Sequence, residues 1–273
     1  MKTRIIVAVI CIPVIFIVLF YLPPIATTVL ISVITVIGSY ELLKAVGAST
    51  RKRLYIYTAI SAVIIPISST IIGPGALVFR ADLFLLLAVL FGDAVLSYKT
   101  ENRLTLTQLT AALFGGAVIP YFLTSIMTLR LFENGRYYVM IPFLVAFITD
   151  GGAYFTGVFF GKHHPFPHVS PKKTTEGCIG GILTGIAGMA LYGVVLALAA
   201  GLPVNFWALV AYGVVAGVVT ELGDLAFSLV KREFSIKDYG NIIPGHGGIL
   251  DRFDSMIFAA PVIYLLVVLF PAF

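Results

Sequence analysis

Charge is scarce in this chain. Of its 273 residues, 11% are charged and 59% hydrophobic, and with a mean hydropathy of +1.04 it falls outside the ordinary water-soluble class. Cysteine is nearly missing. Cys11 and Cys178 have neither metal-ligand spacing nor a disulfide pattern, and no Cys/His set suits zinc. There is no Walker A sequence, no low-complexity tract and no linker long enough to divide the chain. Basic residues are not interleaved with aromatics in a nucleic-acid-binding pattern, so no nucleic-acid partner is expected.

What the chain has instead is apolar length. A helix needs roughly 20 apolar residues to span the hydrocarbon core. Segments 5–22, 25–45, 54–73, 76–98, 106–129, 138–161, 178–202, 206–230 and 255–271 meet that need. The expected fold is an all-α polytopic integral membrane protein of about nine transmembrane helices. The first segment follows Lys2 and Arg4, as a signal peptide would. Its apolar run is long, and no small-x-small cleavage site stands near Pro23 and Pro24, so it reads as a retained helix. With the N-terminus in the cytoplasm, fifteen of the 18 Lys and Arg fall on inside connections, and only Arg80, Arg130 and Arg136 fall outside. That is a strong positive-inside bias, and the net charge of +5 is mostly topology. A multi-pass protein of the cell membrane is expected.

Polarity gathers late in the chain. Helices 1–5, in 1–130, are nearly featureless and read as frame. Residues 131–273 carry helices 6–9 and two polar cytoplasmic stretches, 150–181 and 221–254, and read as the site. The two parts form one membrane-embedded unit. One short echo, FGDAVLSYK (91–99) against LGDLAFSLVK (222–231), resembles the repeats transporters carry, but a single match this short reads as chance.

Asp150 lies midway along segment 6, about 18 Å from either end at helical rise. An ionisable group at that depth costs at least about 2.5–3.5 kcal/mol and is a functional candidate by default; a carboxylate that hydrogen-bonds another helix for packing alone is the alternative. Gly151 and Gly152 are expected to weaken or break the helix there and to allow close backbone approach. In the next loop, HVSPKKTTEGCIGG, Pro171 forces Ser170 toward an extended backbone. Lys172 and Lys173 stand just before a helix opening at Thr174, which makes an anion site; an ordinary positive-inside loop explains them too. Glu221, Asp224, Ser228 and Lys231 share one helix face and suggest a polar cavity open to the cytoplasm. Asp251 and Asp254 share a face in the first turn of helix 9, where carboxylates also serve as caps. Carboxylates at two helix ends among lysines and arginines describe a Mg²⁺ and phosphate site, with glycines letting backbone N–H groups approach the phosphates.

The stretch 228–254, SLVKREFSIKDYGNIIPGHGGILDRFD, resembles the signature of the phosphatidate cytidylyltransferases (CDP-diacylglycerol synthases). Its fixed positions are all met: Ser228, Lys231, Arg232, Lys237, Asp238, Gly240, Pro244, His246, Gly247, Gly248, Asp251, Arg252 and Asp254. The upstream S-P-K-K-T-x-E-G-x-x-G-G and D-G-G-A-Y-F-x-G are similar to the family as well. Val158 departs from it, standing where a basic residue is expected, and this touches a peripheral contact. The resemblance covers about 140–260; the first five helices match only in number and hydrophobicity.

The resemblance implies a reaction in which CTP and phosphatidic acid give CDP-diacylglycerol and pyrophosphate with Mg²⁺, a second metal ion being compatible. It implies Asp224 and Asp251 as metal ligands, with Asp254 a further ligand or hydrogen-bonded behind them. Lys231, Arg232, Lys237 and Arg252 go to the triphosphate or leaving pyrophosphate, and Lys172 and Lys173 to a phosphate of lipid or nucleotide. His246 is a phosphate donor or part of the loop structure. Asp238 orients Lys237 or a metal-bound water. Ser170, Glu176, Ser228, Gly247, Gly248 and Asp150 contribute to substrate binding. Two rivals stand beside this: an ion-coupled transporter, and a related CTP-dependent membrane enzyme acting on another lipid. Glycine-rich faces such as GILTGIAG (181–188) permit tight helix packing within one chain or in a homodimer.

Overall fold

The computed structural model describes residues 2–49, 51–72, 76–242, 245 and 247–273, and every element among them is helical. In chain order these are α1 (Lys2–Phe20), α2 (Pro24–Ala45), α3 (Lys52–Ile71) and α4 (Ala76–Ser97). They are followed by α5 (Leu106–Leu131), α6 (Gly135–Phe160), α7 (Thr175–Ala200), α8 (Phe206–Glu233) and α9 (Leu250–Leu269). Seven of them, α2, α3 and α5 to α9, are long and apolar enough to cross a membrane. In α1 the described apolar stretch is the shorter Val9–Phe20, and α4 carries Arg80, Asp82 and Asp93. The chain is thus a polytopic, all-helical membrane protein.

The chain divides into two compact units, Met1–Leu131 with Phe234–Arg252, and Phe132–Glu233 with Phe253–Phe273. In the first, α2 packs against α3 and α5, and α3 against α4 and α5. The helix starts follow local chemistry. Pro24 opens α2, where its missing N–H is no loss. Thr105 and Gln108 make a reciprocal capping box on α5. A π turn, Phe114–Val118, interrupts α5 where it meets α2 and α3. A Cβ on Gly115 would stand 3.3 Å from Ser39 Cα, and one on Gly116 3.2 Å from Thr58 Cα. Ser39 Oγ donates to the Gly115 carbonyl at 2.5 Å. Some polar side chains of this unit pair across helices: Ser61 of α3 donates to Asp82 of α4, and Arg51 and the exposed Arg53 face Asp93 at 4.0 and 3.9 Å.

In the second unit α6, α7 and α8 pack against one another at glycine distance. A Cβ on Gly213 would come within 2.6 Å of Ile186 Cα, and one on Gly181 within 2.8 Å of the Thr149 carbonyl oxygen. Small residues of this kind let helix backbones approach without a large apolar driving force. The C-terminal end of the chain is tied back: Tyr138 Oη accepts from the Ala272 and Phe273 amides and donates to the Phe273 carbonyl, and Tyr212 Oη donates to the Phe270 carbonyl.

One expectation is corrected. Gly151 and Gly152 do not break α6, which is helical throughout 141–160. Gly152 does allow the expected close approach, since Thr184 of α7 occupies the space a side chain there would need. Helix propensity is a weak preference that tertiary packing overrides.

Candidate functional site

The second unit gathers polar groups from α6, α7, α8 and α9. The loop 161–174 is fixed by α7 itself. Thr174 caps the helix, its side chain accepting from the Gly177 amide at 3.0 Å. Glu176 Oε2 accepts from the Lys162 and His163 amides at 3.1 and 3.2 Å, and its Oε1 lies 2.5 Å from His163 Nδ1.

That anchoring turns Lys173 inward. Its Nζ stands 2.6 Å from Glu221 Oε2 and 2.8 Å from Asp224 Oδ2, and donates to the Glu221 carbonyl at 3.3 Å. Only 11% of the side chain is exposed. Burial by itself would lower the pKa of this ammonium. The negative charges of Asp224 and Glu221 outweigh it, and the net result is a value raised above that of an ordinary lysine. Lys172, by contrast, is exposed.

Asp150, midway along α6, accepts from Ser255 Oγ at 3.3 Å. Asp254, Asp224, Glu221 and Lys173 all act on it electrostatically. Asp254 Oδ1 accepts the Ser255 amide at 2.8 Å, and Gly223 allows α9 to approach α8, a Cβ there standing 3.0 Å from the Asp254 carbonyl oxygen. The structure therefore brings Asp150, Lys173, Asp224 and Asp254 together and adds Glu221, which the sequence placed on the same stripe without a role. Glu221 Oε1 is buried without a hydrogen-bond partner among the described residues. Of these carboxylates Glu221 and Asp254 are buried, Asp224 is 34% exposed and Asp150 is exposed. A cluster of carboxylates with one orphaned buried acceptor suits a hard divalent cation. Further along α8, Ser228 is buried, and Arg232 Nε donates to the Val169 carbonyl at 3.1 Å, holding the 161–174 loop. Lys231 is half-buried, and Ser170 likewise.

In the first unit, the loop ahead of α9 is organised by carboxylates. Asp251 Oδ2 accepts from the Tyr239 amide at 2.8 Å and the Gly248 amide at 3.0 Å. Gly247 has φ +86°, and a Cβ there would meet Asp251 Oδ2 at 3.0 Å and Asp238 Oδ1 at 3.4 Å; both restrictions demand glycine. Lys237, Asp238 and Arg252 are exposed. A cavity of about 210 Å³, lined among others by Lys44, Asp238, Tyr239 and Asn241, is smaller than the 300–1,000 Å³ typical of whole-ligand sites, so it has room for only part of a ligand. His246 and Pro244 lie outside the described residues. Sequence reading missed Glu41, whose carboxylate accepts from the Ile249 and Leu250 amides. The signal was available: an acid in the apolar run of α2 is a functional candidate by the rule that flagged Asp150. Among the described residues, no group of three or more His, Cys, Asp or Glu side chains is arranged to hold a metal ion. Mg²⁺ takes one or two protein carboxylates and completes its shell with water and phosphate, so the carboxylates present fit its demands.

The fold and these clusters define a polytopic helical membrane protein with ionisable groups gathered inside its helices. The chain belongs to the cytidylyltransferase family, whose sequence model matches residues 2–270. A Staphylococcus epidermidis protein named phosphatidate cytidylyltransferase is 43% identical to it over 136 residues, 50% of this chain and 51% of the relative. One of the same name from Bacillus subtilis is 42% identical over 138 residues, 50% of each chain. The chain spans about half the length of these relatives in the matched region.

Proposed function

We propose that this chain transfers the cytidylyl group of CTP to phosphatidic acid, forming CDP-diacylglycerol and releasing pyrophosphate. The observation that carries the reading is the buried pairing of Lys173 with Glu221 and Asp224 beside Asp150 and Asp254. Family membership, the names of the relatives and the signature in 228–254 support it.

A phosphate oxygen of phosphatidic acid attacks the α-phosphorus of CTP, and the bond to pyrophosphate breaks. With a second pKa near about 6 the lipid phosphate is largely dianionic at neutral pH, so no general base is required. Catalysis is positioning and charge neutralisation. Lys231, Arg232, Lys237 and Arg252 bind the triphosphate and the leaving pyrophosphate, and His246 donates to a phosphate oxygen. Lys172, exposed beside the N-terminus of α7, takes a phosphate. Lys173, whose three donors go to Glu221 and Asp224, takes a phosphate in exchange for one of those contacts. Asp238 orients Lys237. Ser170, Glu176, Ser228, Gly247, Gly248 and Asp150 shape the substrate surface. Asp224, Asp251 and Asp254 are the carboxylates that would hold metal; Mg²⁺, when bound, supplies neutralisation of phosphate charge, and a second ion is compatible with their number.

In this reading the chain crosses the cell membrane nine times with its N-terminus in the cytoplasm. The site opens to the cytoplasm for CTP and sideways to the bilayer for the lipid, and the glycine-rich faces allow a homodimer. A substrate panel tests the proposal. Purified protein with Mg²⁺ is given each of the four nucleoside triphosphates with phosphatidic acid or a polyprenyl phosphate, and lipid nucleotide is read by mass spectrometry. Product from CTP and phosphatidic acid supports it. Product only from another lipid moves the reading to a related enzyme. No product, with solute accumulation in vesicles, moves it to a transporter.

A further inference from the structure

Glu41 belongs to α2, in the part of the chain whose sequence reads as frame, and it is 1% exposed. Both of its oxygens are used. Oε1 accepts the Ile249 amide at 3.1 Å and Oε2 the Leu250 amide at 2.8 Å. These amides stand at the start of α9, where no intrahelical acceptor exists for them, and a carboxylate there is favoured by the helix dipole. The cap comes from a residue 208 positions upstream.

Glu41 also explains two glycines of the signature. A Cβ on Gly240 would run into Glu41 Oε1, and a Cβ on Gly248 would lie 2.5 Å from both carboxylate oxygens. The loop amides are divided between two acids: those of Tyr239 and Gly248 go to Asp251, and those of Ile249 and Leu250 go to Glu41. Asp251 follows Leu250 directly, so the direction of its carboxylate depends on where the start of α9 is pinned. Glu41 is buried, and each of its oxygens is engaged by an α9 amide.

We propose that Glu41 is a positioning residue for the transfer reaction: it pins the first turn of α9 and thereby aims Asp251 and the Gly247–Gly248 backbone. The proposal rests on the cytidylyltransfer reading above. A merely structural role would lower stability alone; a positioning role lowers kcat at an almost unchanged KM.

The test uses the full chain in detergent with Glu41→Gln and Glu41→Ala. The readouts are amide hydrogen exchange across 237–252, kcat, KM for both substrates and the thermal midpoint. Leaving buried amides unpaired should speed exchange at Ile249 and Leu250, and lower kcat, each by about 10- to 100-fold. KM for phosphatidic acid should change by no more than about threefold, less than kcat. Alanine should be worse than glutamine, which keeps one acceptor. Gly240→Ala, which presses on Glu41 from the other side and is not part of the proposed substrate surface, should show the same two changes, and it decides the matter if the Glu41 variants do not fold. A wild type without turnover overturns the transfer reading and this proposal with it. An active wild type whose kcat is unmoved in the folded variants overturns the proposal alone.

Discussion

Lys173 and Glu221 are 48 residues apart in sequence and 2.6 Å apart in space, ammonium nitrogen to carboxylate oxygen. The same nitrogen reaches Asp224 at 2.8 Å. Removing it leaves two carboxylates facing each other without a cation. Lys173→Met should therefore destabilise the protein by about 3 kcal/mol, the low end for breaking a buried pair, because Asp224 remains 34% exposed and is partly screened. Adding Glu221→Gln should return part of the loss, as expected for coupled neighbours. Thermal unfolding of the two variants in detergent checks this; a single variant as stable as wild type would contradict the pairing.

The same pair predicts a pH dependence. The folded-state pKa of Lys173 is raised above the unfolded value. Its contribution to stability is then fully present below the unfolded lysine value, about 10.4, and is lost as pH rises through the higher folded value. Between pH 7 and 9 the thermal midpoint should owe no change to this group. Above that window the wild type should lose the stability that Lys173→Met lacks at every pH, so the two curves converge. Parallel curves up to the alkaline limit would rule the assignment out.

Two glycines should respond oppositely to alanine. A Cβ on Gly213 would meet the Ile186 backbone at 2.6 Å, whereas one on Gly151 meets nothing within 4 Å. Gly213→Ala should cost about 1–3 kcal/mol through overpacking. Gly151→Ala should be neutral or stabilise by about 0.5–1 kcal/mol, the helix preference for alanine. Comparing their thermal midpoints tests the α7–α8 approach, and equal values would refute it.

Chelation should stop turnover. A site that neutralises a triphosphate with carboxylate-held Mg²⁺ loses that neutralisation when the ion is removed. Excess EDTA should bring pyrophosphate release to background, and added Mg²⁺ should restore it. Full activity in EDTA would remove Asp224, Asp251 and Asp254 from metal binding.

What the sequence revealed was set by local chemistry. The start of α7 is legible because Thr174, with Gly177 three residues on, is a cap written in adjacent residues. The first turn of α9 is legible for a similar reason, since Asp251 sits where a helix N-terminus favours a carboxylate. The spans are legible from hydrophobic length. The glycines at 151 and 152 misled as helix breakers, and the close approach at Gly152 depends on Thr184, a residue of another helix. Lys173 read as a phosphate ligand, and its engagement with Glu221 and Asp224 emerged only when α7 and α8 were packed. Glu41 was hidden for the same reason: its partners, the amides at 249 and 250, carry no side-chain signal and lie at the far end of the chain.

The most direct test of the central claim is formation of CDP-diacylglycerol from CTP and phosphatidic acid by the purified chain with Mg²⁺, with Asp251→Asn measured beside it. The account predicts product from the wild type and a loss of at least about 100-fold in the variant, because a carboxylate that serves the metal has been neutralised. No product from a folded wild type with well-dispersed lipid would contradict the transfer reaction, and equal product from both would take Asp251 out of the metal site.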